Sequence, residues 1–220
     1  MVAALVTGAN RGIGLSFVKL LKARGDHVIA ACRHETPELT VLGVEVAAGV
    51  DVTSDKSLNL LAEKLKGRTL ELLINNAGLL AVEGLERLDF QSIQRQMEVN
   101  AYGPLRVTHK LLPLLARGSK VALITSRMGS IADNGSGGYY GYRMSKSALN
   151  AAGKSLAVDL APRGVAVALL HPGYVKTDMT ANHGSVEPDA AARDLLTRID
   201  ALTPETSGTF WHANGEILPW

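Results

Sequence analysis

A tyrosine and a lysine four residues apart, Tyr142 and Lys146, are well placed in this chain to exchange a proton. On a helix this spacing puts the phenol and the ammonium side by side on one face. Because a nearby cation favours the phenolate, we expect Lys146 to lower the pKa of Tyr142 from its ordinary value of about 10. The phenol could then act as a general acid near neutral pH. The spacing alone is weak evidence, since Tyr and Lys fall four apart by chance in many helices.

Short apolar runs alternate along the chain with stretches of helical periodicity. The runs predict seven strands, at residues 2–6, 28–31, 44–50, 70–74, 121–125, 165–170 and 208–211. The predicted helices begin near residues 15, 54, 90, 142 and 188, and the third could extend past Gly103 and Pro104 as far as Leu115. Repeated βα units with short connections predict a single α/β domain over residues 1–220, with one doubly wound parallel sheet and helices on both faces.

Three glycines, Gly8, Gly12 and Gly14, lie between the first predicted strand and the first predicted helix. Glycine lets the backbone turn tightly and approach a ligand, and a helix N-terminus offers free N–H groups to a pyrophosphate. Ligands of parallel α/β sheets bind beyond the carboxyl ends of the strands, where this loop must lie. The spacing is G-x-x-x-G-x-G rather than G-x-G-x-x-G. A glycine turn can be purely structural, but its place in an α/β chain favours a nucleotide site.

The charges near this loop favour a phosphorylated cofactor. A site for NAD usually has an acidic residue at the end of the second strand, which binds the ribose hydroxyls. Here Arg33 occupies that place, and Arg11 lies inside the glycine loop. Two guanidinium groups suit a 2′-phosphate, so we expect NADPH rather than NADH. The alternative for Arg33 is a solvated strand end.

The composition excludes several classes of protein. The 220 residues carry a net charge of +2 with acidic and basic residues interspersed, so nothing indicates a nucleic-acid partner. No stretch has the roughly 18 apolar residues needed to cross a bilayer, and the N-terminus lacks the basic residues of a signal peptide. The single cysteine, Cys32, fits a reducing cytosol, and the histidines lack a second ligand at metal spacing. We expect a cytoplasmic protein without a metal site.

Four motifs in order resemble those of the classical short-chain dehydrogenase/reductase family, and the resemblance covers nearly the whole chain. The motifs are residues 7–14, 75–78, 142–146 and 172–173. The C-terminal part, from residues 171–179 to residues 217–220, is most similar to the sniffer and C-factor type of carbonyl reductase. The resemblance implies a Rossmann-type domain. It also implies a homo-oligomer, a dimer or tetramer, that often pairs through the helix bearing Tyr142 and the long helix before it.

The resemblance assigns catalytic roles to four residues. Tyr142 would donate the proton, and Lys146 would also hold the nicotinamide ribose. Ser126 follows the fifth predicted strand and would bind the substrate oxygen, while Asn100 would steady a water in the proton relay. Ser126 lies further before Tyr142 than in most family members, so Ser130 is a competing candidate. The residues expected to bind the cofactor are Gly8, Asn10, Arg11, Gly12, Ile13, Gly14, Arg33, Asp51, Val52, Asn75, Ala77, Gly78, Tyr142, Lys146, Pro172, Gly173, Val175 and Thr177.

The segment that would cover the substrate is short. Only residues 178–187 precede the next predicted helix, which is too few for a long helical lid, so we expect an open site for reactive carbonyls such as quinones, isatins or aldehydes. The main hypothesis is an NADPH-dependent carbonyl reductase acting on a small molecule. The alternative is a nucleotide-binding regulatory or signalling protein with little turnover, which the intact catalytic set disfavours. A sugar-nucleotide epimerase is disfavoured because the chain lacks room for a sugar-binding domain.

Overall fold

The computed structural model describes residues 2–220, in which seven strands form one parallel sheet. The order across the sheet is β3-β2-β1-β4-β5-β6-β7. The strands are β1 Ala3–Thr7, β2 His27–Ala31, β3 Glu45–Ala47, β4 Leu70–Asn75, β5 Leu115–Ile124, β6 Ala166–His171 and β7 Phe210–His212. The order reverses between β1 and β4, which creates the crevice where such sheets bind ligands. The predicted doubly wound parallel sheet is confirmed.

Helices cover both faces of the sheet. The α-helices of the described residues are α1 Gly12–Ala23, α2 Pro37–Leu42, α3 Asp55–Lys64, α4 Phe90–Met97, α5 Gly103–Leu111, α6 Tyr140–Leu160 and α7 Pro188–Asp200. The short helix α2 was not predicted. It begins with Pro37 and ends at Gly43, whose φ of 61° is left-handed, so both of its ends carry sequence signals.

A π-helical segment, Glu98–Tyr102, joins α4 to α5 in one helical run. Pro104 has no N–H to donate, and its ring would clash with the carbonyl of Asn100 in a regular α-helix. The wider π turn avoids that clash, and the N–H of Gly103 bonds to the carbonyl of Glu98. The helix therefore continues past Gly103 and Pro104, as the sequence analysis allowed.

The chain leaves this helix before Leu115, contrary to the longer extension that the sequence allowed. Pro113 lies in a 3₁₀ turn, Leu112–Leu114, and β5 begins directly after it, six residues earlier than predicted. The pairing of β4 with β5 shifts register here, and the hydroxyl of Ser119 supports the bulge by donating to the carbonyl of Leu70 at 2.7 Å.

The core consists of two apolar layers, one on each face of the sheet. Leu5, Leu73 and Leu123 pack on one face, against α3, α5 and α6. Their neighbours in the strands, such as Val6 and Ile74, pack on the other face against α1 and α7. Strands that are buried on both faces appear in the sequence as continuous apolar runs, and this pattern predicted the central strands of the sheet.

None of the helices among residues 2–220 has the length and apolar character needed to cross a lipid bilayer. Within the same residues, His, Cys, Asp and Glu side chains form no group of three or more that could hold a metal ion.

Candidate active site

A cleft of about 760 Å³ lies at the carboxyl ends of the central strands. Its volume is in the range of small-molecule and cofactor sites. Fourteen of the predicted cofactor residues line it: Gly8, Asn10, Arg11, Gly12, Ile13, Arg33, Asp51, Val52, Ala77, Gly78, Tyr142, Lys146, Pro172 and Thr177. These residues thus lie around one cleft, and their binding roles remain predictions.

Four other residues predicted to bind the cofactor, Gly14, Asn75, Gly173 and Val175, are not among those that line the cleft. A Cβ on Gly14 would lie 2.1 Å from the carbonyl oxygen of Gly8, so this glycine is required for close packing of the loop. Gly173 has a φ of 88° and packs near Val186 and His212. Val175 is buried, and its carbonyl accepts a hydrogen bond from Thr180 at 2.7 Å.

Asn75 points away from the cleft, and its neighbour Asn76 lines it instead. The amide of Asn75 donates to the hydroxyl of Thr108 at 3.2 Å, within the buried layer beneath the sheet. Successive side chains of a strand point to opposite faces, so only one of two adjacent asparagines can face the cleft. Alternation predicts that one of the two asparagines faces the cleft, but β4 is apolar on both faces, so the sequence does not indicate which one.

Thr7 and Asn76 clamp the loops after β1 and β4 together. The hydroxyl of Thr7 accepts from the N–H groups of Asn76 and Ala77, at 3.0 and 3.1 Å. The amide of Asn76 in turn donates to the carbonyls of Thr7 and Gly8, at 3.1 and 3.3 Å. The glycine loop is thus fixed against the neighbouring strand.

The glycine loop leaves space for a ligand. Gly8 has a φ of 64°, and a Cβ on it would lie 2.9 Å from the Cα of Ala77. Gly12 has a φ of 52°, and a Cβ on it would lie 3.3 Å from Cγ2 of Thr177. No side chain caps the N-terminus of α1, and its first turn contains no acidic residue, within residues 2–220. Its N–H groups and positive dipole end are available to an anion. The loop therefore fits the diphosphate of a dinucleotide.

Two basic side chains, Arg33 and His34, lie at one end of the cleft together with the carboxylates of Glu38 and Asp51. Arg33 is exposed at the end of β2, and Cys32 and His34 flank it, so this strand end carries no carboxylate. The pKa of Asp51 is lowered first by the hydrogen bond from the N–H of Thr53 and also by the charge of Arg33.

Arg11 forms an ion pair across the cleft. Its Nη1 lies 2.8 Å from Oδ2 of Asp178, in the segment after β6, and both side chains are exposed. An ion pair of this exposure is weak and reversible, so Arg11 can exchange Asp178 for another anion.

Tyr142 and Lys146 lie in the first turns of α6, and they are only 8% and 4% exposed. Burial raises the pKa of Tyr142 to about 12, and a hydrogen bond with Ser126 acts in the opposite direction. Burial lowers the pKa of Lys146 to about 8. Nζ of Lys146 donates to the carbonyl of Ile124 at 2.8 Å and lies 5.7 Å from the centre of the Tyr142 ring.

The expectation that Lys146 lowers the pKa of Tyr142 was therefore wrong for this structure. Desolvation of the phenol dominates, because a buried phenolate loses its hydration. Tyr142 keeps its proton at neutral pH, while Lys146 titrates close to the physiological range.

Ser126, rather than Ser130, contacts Tyr142. Ser126 is near enough to Tyr142 to oppose the rise in the pKa of the phenol, and its Oγ accepts from the N–H of Met128 at 3.2 Å. The hydroxyl of Ser130 donates to the carbonyl of Trp220 at 3.1 Å and accepts from the N–H of Asp133 at 3.1 Å. Ser126 is thus the serine available to a group bound beside Tyr142.

Asn100 is fully buried in the π-helical segment beneath the cleft. Its amide donates to the carbonyl of Leu79 at 2.7 Å and to the hydroxyl of Ser145 at 2.9 Å, and its Oδ1 accepts from the N–H of Leu79 at 2.7 Å. Ser145 in turn donates to the carbonyl of Tyr142 at 2.8 Å. The side chain of Asn100 therefore holds α6 and the loop after β4 in place.

Residues 2–188 match the family model described as short chain dehydrogenase. A 1-hydroxy-2-glutathionyl-2-methyl-3-butene dehydrogenase of Rhodococcus sp. (strain AD45) is 45% identical over an alignment of 226 positions, which covers 100% of both chains. The C-signal protein of Myxococcus xanthus is 46% identical over 154 residues, which are 69% of this chain and 93% of that one.

Two solved structures extend the comparison. The carbonyl reductase Sniffer of D. melanogaster superposes with a TM-score of 0.93 at 29% identity and covers 100% of both chains. An NADPH-bound carbonyl reductase from chicken fatty liver superposes with a TM-score of 0.90 at 30% identity, over 99% of this chain and 98% of that one.

Proposed function

The chain belongs to the short-chain dehydrogenase/reductase family and to its sniffer and C-factor type, and on this basis we propose that it is an NADPH-dependent carbonyl reductase. The observation that carries the proposal is the buried phenol of Tyr142, which lies near Ser126 in the wall of a cleft that fits a dinucleotide. A phenol at this position can give a proton to the oxygen atom of a substrate bound in the cleft.

Reduction of a carbonyl adds a hydride to carbon and a proton to oxygen. NADPH, when bound, supplies the hydride. Ser126 would bind the carbonyl oxygen, and Tyr142 would donate its proton to that oxygen as negative charge develops there. With its pKa raised to about 12, Tyr142 is fully protonated at neutral pH, which is the form that a proton donor needs.

Lys146 would stabilise the phenolate that remains after this transfer. Its pKa of about 8 means that most of the lysine is charged at pH 7, while a proton can still be exchanged near that pH. Asn100 would act through Ser145 and the backbone of Tyr142, since both N–H groups of its amide already donate to protein atoms.

The basic residues support the preference for NADPH. Arg33 and Arg11 would bind the 2′-phosphate, and Arg11 would leave Asp178 to do so. NADH would lose these ion pairs and find no carboxylate at the end of β2 for its ribose hydroxyls.

The open cleft supports a broad range of substrates. Between β6 and α7, the described chain forms a 3₁₀ turn, Asp178–Thr180, an isolated β-bridge between Val175 and Val186, and irregular structure, but no α-helix. Without a helical lid, we infer that the site accepts small reactive carbonyls such as quinones, isatins and aldehydes. We also infer a cytoplasmic location, where NADPH is kept reduced.

The test is oxidation of NADPH and of NADH with phenanthrenequinone, measured by absorbance at 340 nm, for the wild type, Tyr142→Phe and the control Tyr102→Phe. We expect NADPH-dependent turnover that falls at least about 100-fold in Tyr142→Phe, because the proton donor is lost, and stays unchanged in Tyr102→Phe. The Rhodococcus relative is named a dehydrogenase, so the assay is also run in the direction of alcohol oxidation.

The same assay tests the alternative, a regulatory protein that binds the nucleotide with little turnover. Tight binding of NADPH without oxidation of either cofactor, across several carbonyls, would favour that function and contradict the reductase.

A further inference from the structure

Glu83 is a buried acidic residue that the proposed mechanism does not use. It lies in the loop between β4 and α4 and is only 3% exposed. None of the ion pairs within residues 2–220 includes it. A buried carboxyl group without a cationic partner is costly unless hydrogen bonds satisfy it.

The carboxyl group joins α4 to α6 through three hydrogen bonds. Oε1 accepts from the hydroxyl of Ser92 at 2.7 Å and from the amide of Gln96 at 2.6 Å, both on α4. Oε2 accepts from the N–H of Gly141 at 3.2 Å, in the first turn of α6. All three partners are donors, so both oxygens act only as acceptors.

The backbone of Glu83 holds the residue before α6. Its carbonyl accepts from the N–H of Tyr139 at 2.8 Å. Tyr139 has a φ of 52°, a left-handed conformation that is uncommon for a residue with a side chain, and its own side chain does not cap the helix. Glu83 therefore supplies the N-terminal cap of α6 from another part of the chain, with its negative end at the positive end of the helix dipole.

Close packing of α6 against α4 fixes the position of this cap. A Cβ on Gly141 would lie only 2.4 Å from Nε2 of Gln96 and 3.0 Å from the Cα of Ile93, so α6 approaches α4 as closely as glycine permits. Gln96 is fully buried, and its Oε1 accepts from the N–H of Ala81 at 2.9 Å. The residue after Gly141 is Tyr142.

We propose that Glu83 is a positioning residue for Tyr142, which it fixes through Gly141 and Tyr139. The inference rests on the proposed reductase function. A displacement of about 1 Å at a reacting group can lower a rate by about 100-fold, so loss of this cap should affect the chemical step more than cofactor binding.

The test uses Glu83→Gln, which keeps the shape but replaces one accepting oxygen with an NH₂ group that faces other donors. Glu86→Gln is the matched control, because Glu86 lies exposed in the same loop. The double variant Glu83→Gln/Gln96→Glu exchanges the carboxylate and the amide, which restores a donor for each acceptor. Glu83→Asp, which keeps the charge but is one methylene shorter, serves if Glu83→Gln does not fold.

Two readouts separate positioning from stability and from the reaction itself. Hydrogen exchange of the peptide containing residues 139–146 reports the first turn of α6 without any need for turnover. Steady-state kinetics with phenanthrenequinone gives kcat, and quenching of protein fluorescence by NADPH gives its Kd.

For Glu83→Gln, or for Glu83→Asp in its place, we expect hydrogen exchange in this peptide to be at least tenfold faster than in the wild type. We expect kcat to be about 10- to 100-fold lower, while the Kd for NADPH stays within about twofold of the wild-type value. Glu86→Gln should match the wild type, and the double variant should recover most of both properties. An unchanged kcat in a folded variant, or a parallel loss of kcat, Kd and global stability, would overturn the positioning role. A wild type that oxidises no NADPH would reject the proposed function instead, and exchange would still show whether Glu83 anchors the helix.

Discussion

Burial shifts the pKa values of the two ionisable side chains at the centre of the cleft in opposite directions. The pKa of the Tyr142 phenol is raised to about 12, and that of the Lys146 ammonium is lowered to about 8. In both cases burial favours the neutral form. The lysine is therefore the group of this pair that changes its charge near physiological pH.

The pH dependence of the reaction should follow Lys146. We expect kcat/KM for carbonyl reduction to fall as the pH rises through about 8, because the neutral amine no longer stabilises the phenolate. Steady-state rates between pH 6 and 10 measure this profile. A rate that stays level up to pH 10 would show that the charge of Lys146 is not required.

The stability of the folded protein should rise with pH above about 8, where the rate is expected to fall. The pKa of Lys146 in the folded protein, about 8, lies below its ordinary value of 10.5, so folding releases a proton between these values. The unfolded state then binds more protons, and the free energy of unfolding rises with pH. Relative to Lys146→Met, the wild type should thus gain stability between pH 8 and 9.5, as measured by urea denaturation. No change in this difference would contradict the low pKa.

The choice of cofactor can be tested at Arg33. Replacement by serine removes a guanidinium that would bind the 2′-phosphate, and a hydrogen bond to a charged group contributes about 1.5–3 kcal/mol. We expect KM for NADPH to rise by about 10- to 100-fold and KM for NADH to stay within about twofold. Arg95→Ser, exposed on α4, is the control. An equal effect on both cofactors would exclude a specific phosphate contact.

At the scale of elements, the turn from β1 to α1 depends on close backbone contacts. A Cβ on Gly14 would overlap the carbonyl of Gly8 and lie 2.6 Å from the amide of Asn76. Alanine at this position must therefore move the loop or the clamp between β1 and β4.

We expect Gly14→Ala to lower the stability by about 1–3 kcal/mol, as overpacking commonly does, and to weaken NADPH binding at least about tenfold. Thermal unfolding and fluorescence titration measure the two effects. Gly135→Ala is the matched control, because Gly135 has no atom within 4 Å of the added Cβ and no positive φ. Wild-type NADPH affinity in Gly14→Ala would show that the loop can adapt.

Motifs at strand ends and glycine turns were predictable from the sequence, because parallel strands bring their carboxyl ends to one edge. Which of Asn75 and Asn76 faces the cleft depended on the exact register of β4, and the early start of β5 depended on a bulge held by Ser119. Glu83 carried no local signal, since its partners on α4 and α6 lie 9 to 58 residues away. Contacts of this kind arise only from tertiary packing.

At the scale of the whole molecule, α5 and α6 leave apolar side chains exposed. They are Leu105 on α5, and Met144 and Val158 on α6. These are the helices through which family members often pair, so we expect a homo-oligomer formed by this face.

Val158→Glu should convert the oligomer to a monomer. A carboxylate buried at a symmetric interface would lie near the same carboxylate of the second subunit, and the two negative charges would repel each other. Sedimentation velocity measures the state. Val41→Glu, a substitution of another exposed valine in α2, is the control and should leave the oligomer intact. A wild type that sediments as a monomer would contradict the prediction.

The central position of β1 also has a consequence for the folding kinetics of the chain. This strand comes from the first residues, yet one of its two neighbours, β4, follows about 70 residues later, and Thr7 meets Asn76 across a separation of 69 residues. Contacts of such long range form slowly, because closing the long loop between them costs entropy before the contact adds any stability. The nucleotide cleft is therefore assembled late, and recovery of NADPH binding should lag behind the recovery of helical structure when the denatured protein refolds.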